Sequence, residues 1–81
     1  MSQESSGMLH AAVLTKISDL KSAPLEQVKR LDGYEDGFYV FGRYDLIIFI
    51  RGADFEQLQD LVRKINQTKG ILKTETLTET T

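Results

Sequence analysis

The sequence has no cysteine and no tryptophan, one proline and one histidine. Without cysteine there is no disulfide to staple the fold, and a thiolate metal cluster is excluded. A lone histidine, His10, cannot supply the three or four ligands of a zinc site. No apolar run approaches the roughly 18 residues of a membrane-spanning helix; the longest stretch with a clear role, Leu46–Ile50, is a strand's length. Positive charge is not in excess either. Ten basic residues face twelve acidic ones, and the basic residues are scattered, with only Lys29-Arg30 and Arg63-Lys64 adjacent. Nucleic-acid binders draw most of their affinity from a basic patch, so direct DNA or RNA binding is not expected. The Met1–Gly7 start is polar and lacks the apolar core of a signal peptide. A frayed tail is expected over residues 1–7, a single domain over 8–79, and fraying again from Thr78 to Thr81. The lack of cysteine fits a reducing cytoplasm.

With 81 residues there is room for one domain. A domain of this size buries only about 60–65% of the surface its unfolded chain exposes. With no disulfide available, stability must come from close packing or from association with further copies.

Periodicity orders the elements. Met8–Ile17 is apolar and β-branched. Leu9, Ala11, Val13, Thr15 and Ile17 share one face, and His10, Ala12, Leu14 and Lys16 the other, which predicts a central strand. Ser22-Ala23-Pro24 predicts a helix start with Ser22 as cap and Pro24 in the first turn. Leu25, Val28 and Leu31 form its stripe, and Asp32-Gly33 its end. Tyr34–Phe41 reads as an aromatic strand with a bulge at Gly37. Leu46–Ile50 is a strand apolar on both faces, reached through a short Gly42-Arg43 hairpin. Asp54 caps a second helix, with Gln57 in the capping-box position and Phe55, Leu58, Leu61, Val62 and Ile65 on its buried side. Gly70 stops it. The last strand runs from Ile71 to Leu77 or beyond, with Leu72, Thr74, Thr76 and Thr78 on one face and Lys73, Glu75, Leu77 and Glu79 on the other, as suits an edge.

The order β-α-β-β-α-β predicts an α+β, ferredoxin-like fold: a four-stranded antiparallel sheet with two helices on one face. The first and third strands then lie at the centre, and both are apolar on both faces. Two helices cover one face only, so a second copy is expected to cover the other, sheet against sheet, in a dimeric α/β-barrel arrangement.

Chemistry-bearing motifs are few. There is no Gly-rich phosphate loop and no serine elbow. Most carboxylates fall in turns or on helix exteriors, where capping and solvation explain them. Asp45 stands apart, next to Tyr44 at the start of an otherwise apolar strand, directly after a glycine turn. One reading has its carboxylate accept turn amides and fix the hairpin; another has it hold the ammonium group of a small molecule. The threonines Thr74, Thr76 and Thr78 suit an edge strand, and their hydroxyls are also the donors a ligand carboxylate would use.

Gly42-Arg43-Tyr44-Asp45-Leu46 resembles the G-x-Y-D-apolar turn of the effector-binding domain of Lrp/AsnC transcription regulators, also called the RAM domain. Asp54–Ile65 is similar to that family's second helix, and Gly70–Thr76 to its final G-V-x-x-T-x-T strand. Ala12-Val13-Leu14 falls in the matching first strand. The resemblance covers about residues 9–79. It departs from the pattern at Tyr34–Phe38, whose start is less apolar than usual, and in the few residues preceding the first strand, which leave no room for the family's helix-turn-helix. The chain therefore resembles a stand-alone form of the domain.

The resemblance implies a regulatory module rather than an enzyme, with no cofactor and no metal. It implies an amino acid or related effector bound at a subunit interface by Gly42, Tyr44, Asp45, Thr74 and Thr76. It also implies a homodimer that assembles into a ring, and full-length Lrp/AsnC regulators as further partners. Two alternatives remain: a purely structural oligomerisation partner, and a small dimeric ferredoxin-like enzyme of the monooxygenase or isomerase type, for which His10 is the only candidate histidine.

Overall fold

The computed structural model describes residues 8–78. The expected tail over residues 1–7 lies outside the described residues, as does the expected fraying over Thr78–Thr81 except at Thr78, which is the last residue of a strand instead.

Four strands and two helices follow one another as expected. Strand β1 is Leu9–Ile17, helix α1 Pro24–Val28, β2 Tyr34–Tyr39, β3 Leu46–Gly52, α2 Phe55–Asn66 and β4 Ile71–Thr78. The strands form one sheet in the order β2-β3-β1-β4. Every neighbouring pair is antiparallel. This is the split β-α-β arrangement of a ferredoxin-like α+β domain, with β1 and β3 at its centre.

Alternation along the strands decides which side is covered. Ala11, Val13 and Thr15 of β1 and Leu46, Ile48 and Ile50 of β3 are buried, and the apolar ones meet Leu25 and Val28 of α1 and Leu58, Leu61 and Ile65 of α2 in one core. Both helices therefore cover the same face. At about 25 cal/mol per Å² of apolar surface buried, these side chains supply most of the drive to fold. The opposite face has no cover among the described residues. Along it Ala12 pairs with Phe49 and Leu77, and Leu14 and Phe38 both pair with Ile47. The Phe38 and Phe49 rings lie 5.9 Å apart. Leu77 remains 53% exposed.

Several boundaries differ from the sequence expectations. Ser22 does not cap α1. It belongs to a 3-10 turn, Leu20–Ser22, capped by Asp19, whose carboxylate accepts from the Lys21 amide at 3.0 Å and from the Ser22 hydroxyl at 2.8 Å. α1 starts instead after Ala23, whose φ of +54° lies in the left-handed region, and it ends at Val28, short of Leu31. The hydrogen-bonding side chain that would cap α1 is already used one turn earlier. The irregularity in β2 lies between Tyr34 and Asp36 rather than at Gly37. β2 ends at Tyr39, because the chain leaves the sheet in a wider connection closed by a bond from the Val40 amide to the Asp45 carbonyl at 3.0 Å. Asp54 does cap α2, accepting from the Gln57 amide at 2.9 Å, while the Gln57 side chain accepts from the Ala53 amide. β4 extends to Thr78, with Thr74, Thr76 and Thr78 half-buried on the helix side and Lys73, Glu75 and Leu77 exposed.

Candidate functional site

The Gly42 turn sits at one end of the sheet, where β2 feeds β3. Gly42 has a φ of +126°, and an added Cβ would meet nothing within 4 Å. Glycine is needed there for backbone conformation alone. The turn delivers Asp45 to the end of β1. The Asp45 amide donates to the Thr15 carbonyl at 2.9 Å, and its Oδ2 accepts from the Ile17 amide at 2.9 Å. Ile17 is free to donate because the β1–β3 ladder ends at the Thr15–Leu46 pair, two residues before it. So Asp45 fixes β1, not the turn amides the sequence suggested. One carboxylate oxygen is committed to this bond, and the residue still lines an open groove.

That groove has a volume of about 850 Å³ and is lined by Ile17, Ser18, Leu20, Ala23, Tyr39, Val40, Phe41 and Asp45. Leu20 is 64% exposed, and Phe41 is entirely exposed beside Gly42. Large apolar side chains standing in water around a single carboxylate are unusual for structure alone.

Tyr44 points elsewhere. Its hydroxyl hydrogen-bonds the Glu75 carboxylate on the uncovered face of the sheet. That bond, helped by desolvation and the negative charge of Glu75, holds the phenol above its ordinary value. Glu75 was not among the residues singled out from sequence. Strand alternation places it on the open face, but only the three-dimensional order β3-β1-β4 brings Tyr44 to it.

The threonines face α2. The Thr74 hydroxyl lies 3.3 Å from Asn66 Oδ1. Thr76 lines a separate groove with Phe55, Leu58, Gln59, Val62 and Thr78. Strand β1 runs between β4 and β3, and no residue lines both grooves. Within one copy the five candidate residues therefore fall into two groups: Gly42, Tyr44 and Asp45 at the turn, Thr74 and Thr76 under α2.

His10 is placed at the opposite end of β1, across from Arg51. Its Nδ1 lies 2.9 Å from Glu35, and Arg51 approaches the other Glu35 oxygen at 3.7 Å. The three form a polar cluster at the rim of the uncovered face. Among the described residues no group of three histidine, cysteine, aspartate or glutamate side chains is placed to hold a metal ion. No helix among them is long and apolar enough to cross a membrane.

The fold has close counterparts. TTHA0845 from Thermus thermophilus is similar over 90% of this chain and 94% of its own, at 31% identity and a TM-score of 0.82. AsnC from E. coli matches all of this chain with 60% of its own length, at 21% identity and a TM-score of 0.80. The feast or famine regulatory protein Rv3291c from M. tuberculosis, solved with L-methionine, matches 99% of this chain with 58% of its own, at 18% identity and a TM-score of 0.79. At that identity the last two speak to the fold. No curated protein sequence matches the chain. The Lrp/AsnC ligand binding domain matches residues 22–79, a span holding the Gly42 turn, Asp45, α2 and the threonine strand. On that match, and on the shared architecture, the chain belongs to the Lrp/AsnC ligand binding domain family.

Proposed function

We propose that this chain is a cytoplasmic sensing module, not an enzyme, that binds an amino acid or related metabolite at an interface between copies. It passes the signal on through assembly, with itself or with full-length regulators of its family. The observation that carries this reading is the division of the candidate site. The Asp45 groove and the Thr76 groove are disjoint in one copy. A carboxylate suits an ammonium group and threonine hydroxyls suit a carboxylate, so an amino acid needs both halves, and a second copy supplies the missing one. Rv3291c, of the same fold, was solved with L-methionine. The uncovered sheet face gives the copies a separate reason to pair.

Titration calorimetry against the twenty L-amino acids tests the proposal. At least one should bind, with Asp45→Asn and Thr76→Val each weakening it about tenfold or more, and sedimentation should change on its addition. A second reading, a structural assembly partner that binds no metabolite, draws support from the Asp45–Ile17 bond, which already gives the carboxylate a role in the fold. Silence against all twenty amino acids would favour it.

A further inference from the structure

The two outer edges of the sheet are not alike. β2 is guarded: it spans only Tyr34–Tyr39, carries exposed Glu35 and Asp36, and loses register between Tyr34 and Asp36. Shortness, charge and irregularity are the usual defences of an edge. β4 is longer, Ile71–Thr78, with threonine at every second position from Thr74. Threonine favours extended backbone. From Lys73 to Thr78 the strand runs in register with β1, and among the described residues no strand pairs with its outer side. Its apolar side chains Leu72 and Leu77 are both exposed.

The charges of β4 are also incomplete within one copy. Lys73 lies directly opposite Lys16 of β1 on the open face, a repulsive pairing. No described carboxylate forms an ion pair with either lysine. Glu75, two residues on, is bound by the Tyr44 hydroxyl and by no described cation. Two β4 strands laid antiparallel complete both groups. Directly opposite residues of antiparallel strands share a face. A two-fold axis through Thr74 keeps the threonines on the helix side and sets Lys73 opposite Glu75 of the second copy, twice. An axis through Lys73 or Glu75 sets like charges opposite each other, and one through Thr76 sets Glu75 opposite Leu77.

We propose that β4 is a docking edge for β4 of a second copy, paired antiparallel about Thr74, with the two Lys73–Glu75 pairs fixing the register. Two four-stranded sheets become one of eight. Both bare faces then lie on the same side, so sheet-to-sheet pairing can still cover them. The contact uses the outer backbone of β4 and leaves the Asp45 groove open, so it stands apart from ligand sensing. The paired segment, Leu72–Thr76, is short, and so short an edge is weak alone. It acts by adding to the face-paired dimer, which presents two β4 edges.

With no native cysteine, disulfide cross-linking of the full chain tests the contact. Opposite Cα atoms of an antiparallel pair lie about 4.5–5.5 Å apart, within disulfide reach. Thr74 is opposite itself, so Thr74→Cys should cross-link under mild oxidation at least tenfold faster than Asp36→Cys on the other edge, with circular dichroism confirming each fold. Adding Lys73→Glu to Thr74→Cys should remove most of that advantage, and adding Lys73→Glu with Glu75→Lys should restore it. Whatever the stability of Thr74→Cys, Lys73→Cys mixed with Glu75→Cys should give mostly the mixed dimer, which sets the two cysteines opposite each other and keeps one Lys73–Glu75 pair. Thr74→Cys cross-linking no faster than Asp36→Cys, or a statistical mixture of dimers from the second experiment, would overturn the edge pairing. A rate indifferent to Lys73→Glu, or fastest cross-linking by Glu75→Cys alone, would overturn the register.

Discussion

Tyr44 shows how much a single residue's partner matters. Its sequence position suggests the ligand site beside Asp45, yet its hydroxyl is engaged by Glu75 on the open face of the sheet. The bond favours the neutral phenol, so the folded protein holds the proton more tightly than the unfolded chain does. Its contribution to stability is therefore complete below the ordinary tyrosine value of about 10 and is lost as pH rises through the raised value of the folded state. Ultraviolet titration of the tyrosinate band should show one of the tyrosines ionising late, and Glu75→Ala should bring that step back toward the others. Coincident titration of all tyrosines in both proteins would show that the contact does not form in solution. Asp45 was legible in the sequence as a carboxylate out of place; its partner was not. The Ile17 amide is free because the β1–β3 ladder ends at the Thr15–Leu46 pair, and no local pattern announces where a ladder between strands so distant in sequence stops.

Among the elements, those with strong periodicity were the most readable. The two faces of β1, the stripe of α2 from Leu58 onward and the alternation of β4 from Lys73 onward follow from residue spacing, since burial on one side selects every second or every third-to-fourth position. Phe55, expected on the buried side of α2, and Leu72, expected on the face of the threonines, are exposed instead, Leu72 where the β1–β4 register shifts. α1 was less so. Ser22-Ala23-Pro24 has the composition of a helix start, but Asp19 engages the Ser22 hydroxyl first, and competition between two nearby polar side chains decides the boundary. The joint between α2 and β4 matters beyond its length. The Gly70 carbonyl accepts from the Ser18 and Asp19 amides, tying this joint to the end of β1. Gly70 has a φ of +94°, and an added Cβ would lie 2.7 Å from the Asp19 carbonyl oxygen. Gly70→Ala should cost about 1–3 kcal/mol from backbone strain, before the collision is counted. In a domain of this size the melting temperature should fall by about 5 °C or more. A melting temperature unchanged within a degree would show that the joint relaxes at no cost.

For the molecule as a whole, composition and patterning already favour pairing: the chain is small, has no disulfide, and carries two strands apolar on both sides. The fold makes the pairing surface specific. Ala12, Leu14, Phe38, Ile47, Phe49 and Leu77 share the face the helices leave bare. Phe49 sits at its centre and outside the helix-covered core, so Phe49→Glu should leave the circular dichroism spectrum unchanged while converting a sedimenting dimer to monomer at micromolar concentration. A wild-type chain that sediments as a monomer throughout that range would remove the sheet-to-sheet pairing. The division of the candidate site stayed out of reach of sequence reading, because the turn and the threonines each look complete alone and only the strand order separates them.

That separation has a genetic consequence. If each site joins the Asp45 turn of one copy to the Thr76 strand of another, a chain damaged at the turn and a chain damaged at the threonines fail alone in different halves. Mixed in equal amounts, they would regenerate a fraction of intact junctions, so two inactive alleles would complement each other. By the same logic, either one expressed beside the wild type would poison sites it does not wholly own.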